Sequence, residues 1–132
     1  DRSALLRTAD ICVFASRVEP FGTVFAQAWA ERTAVIVSDA DGPKQFCSDG
    51  EDSLVVPKND AATLAGAIKR LLSDKAVQKK LIENGYKRYQ DEFTKERSVA
   101  AYLGYLLEIL KKENIELKEE NLKLKQQINN SL

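Results

Sequence analysis

The sequence predicts an α/β protein: a partial Rossmann-like parallel sheet followed by helices and a C-terminal zipper-like helix. Three observations lead there. Short uncharged apolar runs of strand length, with all three prolines, lie before residue 60; helical periodicity takes over after it; and a leucine heptad closes the chain. The 132 residues are enough for one domain with a conventional hydrophobic core and no disulfide or metal staple.

The runs Ile11-Cys12-Val13-Phe14-Ala15 and Ala34-Val35-Ile36-Val37 lack polar alternation, as expected of parallel strands covered on both faces. A third run, Leu54-Val55-Val56, is closed by Pro57. Between the first two, residues 23–32 place Val24, Ala28 and Trp29 on one helical face, so strand, helix and strand form a parallel crossover unit. Asp39-Ala40-Asp41, continued by Gly42-Pro43, reads as a polar turn after the second strand. Asn59 and Asp60 are both N-cap candidates for a helix on which Leu64, Ala65, Ile68, Leu71 and Leu72 recur. A Ser73-Asp74 break starts a second helix carrying Val77, Leu81 and Tyr89, and Thr94 is placed to cap a third that runs on into the tail.

Charge and composition narrow the chemistry. Twenty Lys/Arg balance twenty Asp/Glu, but residues 1–58 carry 6 basic and 9 acidic side chains and residues 59–132 carry 14 and 11. With no His and two isolated Cys, the chain cannot supply a His-based triad, a Cys/His pair or a zinc cluster from its own residues. Carboxylates, amides, hydroxyls and backbone groups remain. Cys12 and Cys47 read as small buried apolar residues. Two such thiols suit a reducing cytoplasm. The longest nearly uncharged stretch, residues 99–110, contains Glu108 and is shorter than the ~20 residues that cross a bilayer. A cytoplasmic protein is expected, with at most peripheral contact at the inner membrane face. The basic excess of residues 69–97 reads first as a solvated helix face. Asp1 without an initiator Met fits a processed chain or a piece of a longer one.

Residues 16–31 are the most informative segment. They place Glu19, Pro20 and Gly22 just past a strand and immediately before a helix. In an open parallel sheet, ligands bind outside the carboxyl ends of the strands. N–H groups at a helix start near Gly22 and Thr23 suit an anion such as a diphosphate. Glu19 would stand at the rim as an acceptor for sugar hydroxyls, with Gln27 two turns along. On chemistry alone the segment fits a phosphate-binding turn and a plain strand-to-helix turn equally.

Ala9-Asp10-Ile11-Cys12-Val13-Phe14-Ala15-Ser16, then Glu19-Pro20-Phe21-Gly22, Asp39 to Gly42, Asp49-Gly50, Val55-Val56-Pro57 and Asp60 resemble, in order and spacing, the C-terminal donor-binding domain of GT-B-fold glycosyltransferases of family 4. The resemblance covers residues 1–107 and leaves residues 108–132 as a helical, coiled-coil-like tail. It implies a retaining transferase that takes a sugar from a nucleotide-sugar donor and needs no cofactor or metal. The implied acceptor is a growing glycan or glycolipid, as in lipopolysaccharide or surface polysaccharide synthesis. Glu19 becomes the catalytic-site carboxylate that holds the donor sugar. Pro20, Phe21, Gly22 and Thr23 form the turn bringing backbone amides to sugar and diphosphate, and Gln27 falls where the family has a second Glu on the ribose. Other departures are Arg32 where Gly is usual, Ala34 where Pro is usual, and Asp41-Gly42 in place of a Gly pair. The family's basic diphosphate-binding residues and its acceptor domain match nothing here, so the chain alone is expected to be inactive. Asp39-Ala40-Asp41 also matches a metal-binding two-carboxylate motif of another glycosyltransferase fold; its position favours a structural turn.

In the tail, Leu103, Leu110, Leu117 and Leu124 fall at d and Leu107, Asn114, Asn121 and Ile128 at a. This pattern predicts a parallel homodimer through residues 103–128, while a lone amphipathic helix is the alternative. A basic-region zipper on nucleic acid is discounted, because the segment before the heptads is apolar rather than basic. The competing function is a non-catalytic nucleotide-binding or assembly module dimerised by the tail.

Overall fold

A computed structural model describes residues 1–131. The elements are α1 (Arg2–Thr8), β1 (Ile11–Phe14), α2 (Val24–Ala30), β2 (Ala34–Ser38), α3 (Asp41–Phe46), β3 (Leu54–Val56), α4 (Ala61–Ser73), α5 (Lys75–Arg88), a π-helical turn (Tyr89–Phe93) and α6 (Lys95–Ser131). The chain divides into a packed unit, Asp1–Thr94, and α6.

The three strands are parallel in the order β1-β2-β3, with Cys12 opposite Val35 and Ile36 opposite Leu54. Every residue of central β2 is buried, which is why Ala34 to Val37 shows no polar alternation. One face packs Cys12, Val35 and Val37 against Phe25, Ala28 and Trp29 of α2. The other packs Ala34, Ile36, Leu54 and Val56 against Leu71 of α4 and Leu81 of α5. On α4, Leu64, Ala67 and Ile68 complete that contact, while Ala65 and Leu72, expected on the same stripe, are exposed. Asp60 caps α4 by accepting from Thr63 N at 2.9 Å, and Asp74 caps α5 by accepting from Val77 N at 3.0 Å.

Two elements correct the expectations. Asp41-Gly42-Pro43 does not continue a turn but opens α3, because Pro43 suits a first helical turn and Phe46 at the other end docks on the α2 aromatics. Tyr89 leaves the α-helix for the π-helical turn, which carries Phe93 onto Phe25, Trp29 and Phe46 at ring distances of 5.7 to 5.9 Å. α1 has no fully buried residue; Leu6 packs partly buried against the α2 core cluster, and polar ties add to it: Arg7 Nε donates to Glu31 at 2.9 Å and Thr33 Oγ1 to Leu6 O at 2.6 Å.

Cys12 and Cys47 are buried and not disulfide-linked. Burial pushes the Cys47 thiol up from 9.0 to about 12 and raises that of Cys12. The unfolded chain therefore ionises Cys47 first, so this contribution to stability is complete below pH ~9 and is lost as pH rises toward 12. We expect iodoacetamide at pH 8.5 to label both thiols in urea and neither in the native protein. Rapid native labelling of Cys47 would contradict its burial.

Among the described residues, no helix is long and apolar enough to cross a membrane. α6 is one continuous helix of 37 residues that passes residue 107 without interruption.

Candidate functional site

The carboxyl ends of β1, β2 and β3 lie on one edge of the sheet, and the chain leaves them through residues 15–23, 39–40 and 57–60. A groove of about 290 Å³ opens there, lined by Ala15, Arg17, Ser38, Lys58, Asn59 and Asp60 among others.

The loop at residues 19–23 is over-determined from below. Gly22 has φ 72°, a left-handed conformation that favours glycine, and a methyl group there would lie 2.6 Å from Cε1 of Phe14 and 2.9 Å from Cγ of Glu19. Gly42 N donates to Glu19 O at 2.8 Å. A methyl on Gly42 would lie 2.5 Å from that oxygen, 2.6 Å from Phe21 N and 2.7 Å from Pro20 C, so only glycine lets α3 seat against the loop backbone. Ser38 Oγ at the end of β2 donates to Ser16 O and fixes the loop where it leaves β1. Phe21 stands edge-on to Phe46 at 4.7 Å, and Phe46 stacks on Phe25 at 5.7 Å, so an aromatic chain runs from the core to the exposed loop tip.

The predicted residues lie on that loop and in the first turn of α2, and none of them lines the groove. The half-buried Glu19 carboxylate accepts from Phe21 N at 3.4 Å, a long bond that leaves most of its acceptor capacity unused. Pro20, Phe21 and Thr23 are exposed and Gly22 is buried beneath them. Thr23 precedes α2 without capping it through its side chain. α2 has only seven residues, so the first-turn N–H groups count here as individual donors more than as the end of a long dipole. Gln27 sits one turn inside α2, and its Oε1 accepts from Arg2 Nη1 at 3.2 Å. The amide standing at the family's second Glu position is thus already engaged by α1.

Other contributors are not evident from the sequence. Gly42 carries a signal, a Gly-Pro step after a strand, but it points to a turn. Ser38 and the groove residues Arg17 and Lys58 carry none, because their placement depends on strand register. Asp39 is structural in this arrangement: its Oδ1 accepts from Lys58 N at 2.7 Å and its N–H donates to Val56 O at 2.9 Å, closing the end of β3. Asp41 is exposed in the first turn of α3. Arg32, where Gly is usual in the resembled domain, has φ 57°, and its guanidinium lies 3.7 Å from the Tyr86 ring centre, a cation–π contact that offsets the left-handed strain.

Residues 1–88 match the family described as Glycosyl transferases group 1. The chain belongs to this family. This group 1 glycosyl transferase chain is 34% identical over 106 residues to a lipopolysaccharide core biosynthesis glycosyltransferase of Rhizobium meliloti, covering 80% of the chain and 31% of that protein. Among solved structures, it is similar to sucrose-phosphate synthase from Thermosynechococcus elongatus, with TM-score 0.72 and 39% identity over 80% of this chain and 26% of that one. The C-terminal domain of a group 1 family glycosyl transferase from Francisella tularensis matches with TM-score 0.66 and 28% identity over 70% of this chain and 47% of that one. The group 1 chain thus spans about a third of the Rhizobium relative's length, and the α/β architecture with its parallel sheet is that of GT-B C-terminal domains.

Proposed function

We propose that this chain supplies part of the donor-binding lobe of a retaining glycosyltransferase, with residues 1–107 in the lobe and residues 108–132 as its helical tail. The observation that carries the proposal is the clamp on residues 19–23: Gly22 and Gly42 hold Glu19 and the following backbone amides at the carboxyl edge of the sheet, where an α/β fold of this kind takes its ligand.

In this role Glu19 accepts hydrogen bonds from the donor sugar, and Phe21, Gly22 and Thr23 present backbone N–H groups to sugar and diphosphate. As the sugar departs, its ring gains positive charge and the phosphate oxygens gain negative charge, so fixed donors aimed at the diphosphate act where charge develops. Gln27 offers the ribose the Nε2 hydrogens of its amide, its Oε1 being held by Arg2, without the charge-assisted bond a Glu would supply. The site uses no metal, and the Asp39 carboxylate keeps its bond to Lys58 N. Growing glycan or glycolipid is the acceptor class, and lipopolysaccharide core synthesis is the process that the name of the Rhizobium relative supports. The enzyme works in the cytoplasm, touching the inner membrane face peripherally at most, and the 132-residue chain binds donor without turning it over.

The test is Glu19→Ala in the full-length protein. A hydrogen bond to a charged group is worth about 1.5–3 kcal/mol, so sugar transfer should fall roughly 10- to 100-fold. The thermal midpoint should hold, since the side chain makes one long bond to its own loop. Unchanged transfer would remove Glu19 from the site.

A further inference from the structure

α6 is a single helix of 37 residues, and its described a and d side chains from Leu103 onward carry a long apolar seam in water: Leu103, Leu107, Leu110, Leu117, Leu124 and Ile128 are between 50% and 60% exposed. In proteins most helical stability comes from packing an apolar face, and a row of leucines along a helix gains nothing from solvent. From residue 103 to 128 the seam is roughly 39 Å long at 1.5 Å per residue.

We propose that α6 pairs with α6 of a second copy of this chain as a parallel, in-register, two-stranded coiled coil. Charge selects the occupant and its direction. With Leu110, Leu117 and Leu124 at d, the e positions are Lys111, Lys118 and Lys125, and Glu113 and Glu120 are at g. Glu113 and Lys118 are five residues apart, so they do not face each other on one helix. In a parallel pair each g residue meets the partner's following e residue, and both Glu113 with Lys118 and Glu120 with Lys125 become attractive, twice over by symmetry. An antiparallel pair would set e against e and g against g, Lys against Lys and Glu against Glu.

The asparagines agree with the charges. Asn114 and Asn121 occupy a, where in-register parallel helices bring each amide opposite its own copy, whereas an antiparallel pair would set each against a d leucine and a one-heptad slip would leave one against Leu107 and one against Ile128. In the single chain Asn121 Nδ2 donates to Leu117 O at 3.0 Å, a bond within its own helix that an amide across the seam can replace. Two polar a positions specify the register at a cost in the stability of the pair.

The experiment is light scattering on the full 132-residue chain across a concentration series. The mass should rise from the 14.8 kDa of one chain to twice that value. A chain carrying Glu113→Lys and Glu120→Lys should be monomeric alone, as should one carrying Lys118→Glu and Lys125→Glu, and mixing the two should restore the doubled mass. Leu124→Cys should cross-link to a dimer on mild oxidation, since d meets d only in parallel register, and Cys12 and Cys47 are buried. A single-chain mass at every concentration would overturn the proposal. So would a dimer indifferent to both charge reversals, one that fails to cross-link at residue 124, or a larger assembly.

Discussion

Gly42→Ala should both destabilise the packed unit and disable the donor site proposed at residues 19–23, and its effect on activity should exceed its effect on folding. The added methyl would lie 2.5 Å from Glu19 O, 2.6 Å from Phe21 N and 2.7 Å from Pro20 C, all backbone atoms that cannot swing aside as a side-chain end would. Either α3 lifts away or the loop does, and the 2.8 Å bond from Gly42 N to Glu19 O breaks. Overpacking against well-fixed neighbours costs about 1–3 kcal/mol, and backbone contacts on three sides put this case near 3. For a unit of this size each kcal/mol moves the thermal midpoint about 4–8 °C, so a drop of roughly 12–24 °C is expected. A shift of about 1 Å in a positioning group can cost about 100-fold in rate. Sugar transfer by the full-length protein should accordingly fall about 100-fold at temperatures where circular dichroism shows it fully folded. A variant that melts with the parent and transfers sugar at the parental rate would show that α3 does not seat the loop.

The contrast between Gly22 and Gly42 shows what could be read without coordinates. Gly22 lies close to Glu19 in the chain, and its role is local: a turn between a strand and a helix that requires positive φ. Gly42 meets the same loop from beyond β2, at the start of α3, so no local pattern announces it. Likewise Ala34 to Val37 reads as a covered strand because burial on both faces removes every polar residue, whereas α1 has only Leu6 partly buried against the core and rests on Arg2, Arg7 and Leu6 meeting residues 24 to 27 positions later. The α3 error has the same origin. Asp-Gly-Pro is turn chemistry until Phe46 has Phe21 and Phe25 to pack on, and tertiary contact then outweighs local preference. The placement of Glu19 and Gly22 is legible because the residues just past a parallel strand emerge at the carboxyl edge of the sheet. Arg17, Lys58 and the bond between Arg2 and Gln27 were not, because each depends on which strands are neighbours or which helices touch.

The largest purely structural effect is expected from Asp52→Ala. Asp52 lies in the link between α3 and β3, and its carboxylate is 4% exposed. Oδ2 is 2.7 Å from Nη1 of Arg88 at the end of α5, Oδ1 accepts from Ser48 N at 2.9 Å, and the backbone carbonyl accepts from Trp29 Nε1 at 3.1 Å. One residue therefore joins the α3–β3 link, α2 and α5. Burial works against the charge on Arg88, but the hydrogen bonds and negative charges of Asp52 and Glu92 together outweigh it and hold the guanidinium above its usual pKa. Removing one partner of a buried pair strands the other, which costs about 3–5 kcal/mol. Arg88 is 25% exposed and keeps Glu92 at 3.3 Å, which places the expected loss at the low end, about 3 kcal/mol. The loss should reverse in part when both partners go. If Asp52→Ala and Arg88→Met each destabilise strongly while the double variant is milder than their sum by about 1 kcal/mol or more, the ion pair itself is the tie. If instead the single losses add, what Asp52→Ala removes is the bond from Ser48 N and the charge on Arg88 is incidental; the bond from Trp29, made to the backbone carbonyl of residue 52, is kept in every variant. In either outcome sugar transfer below the melting range should survive, because residue 52 holds α5 against α2 and does not touch the loop at residues 19–23.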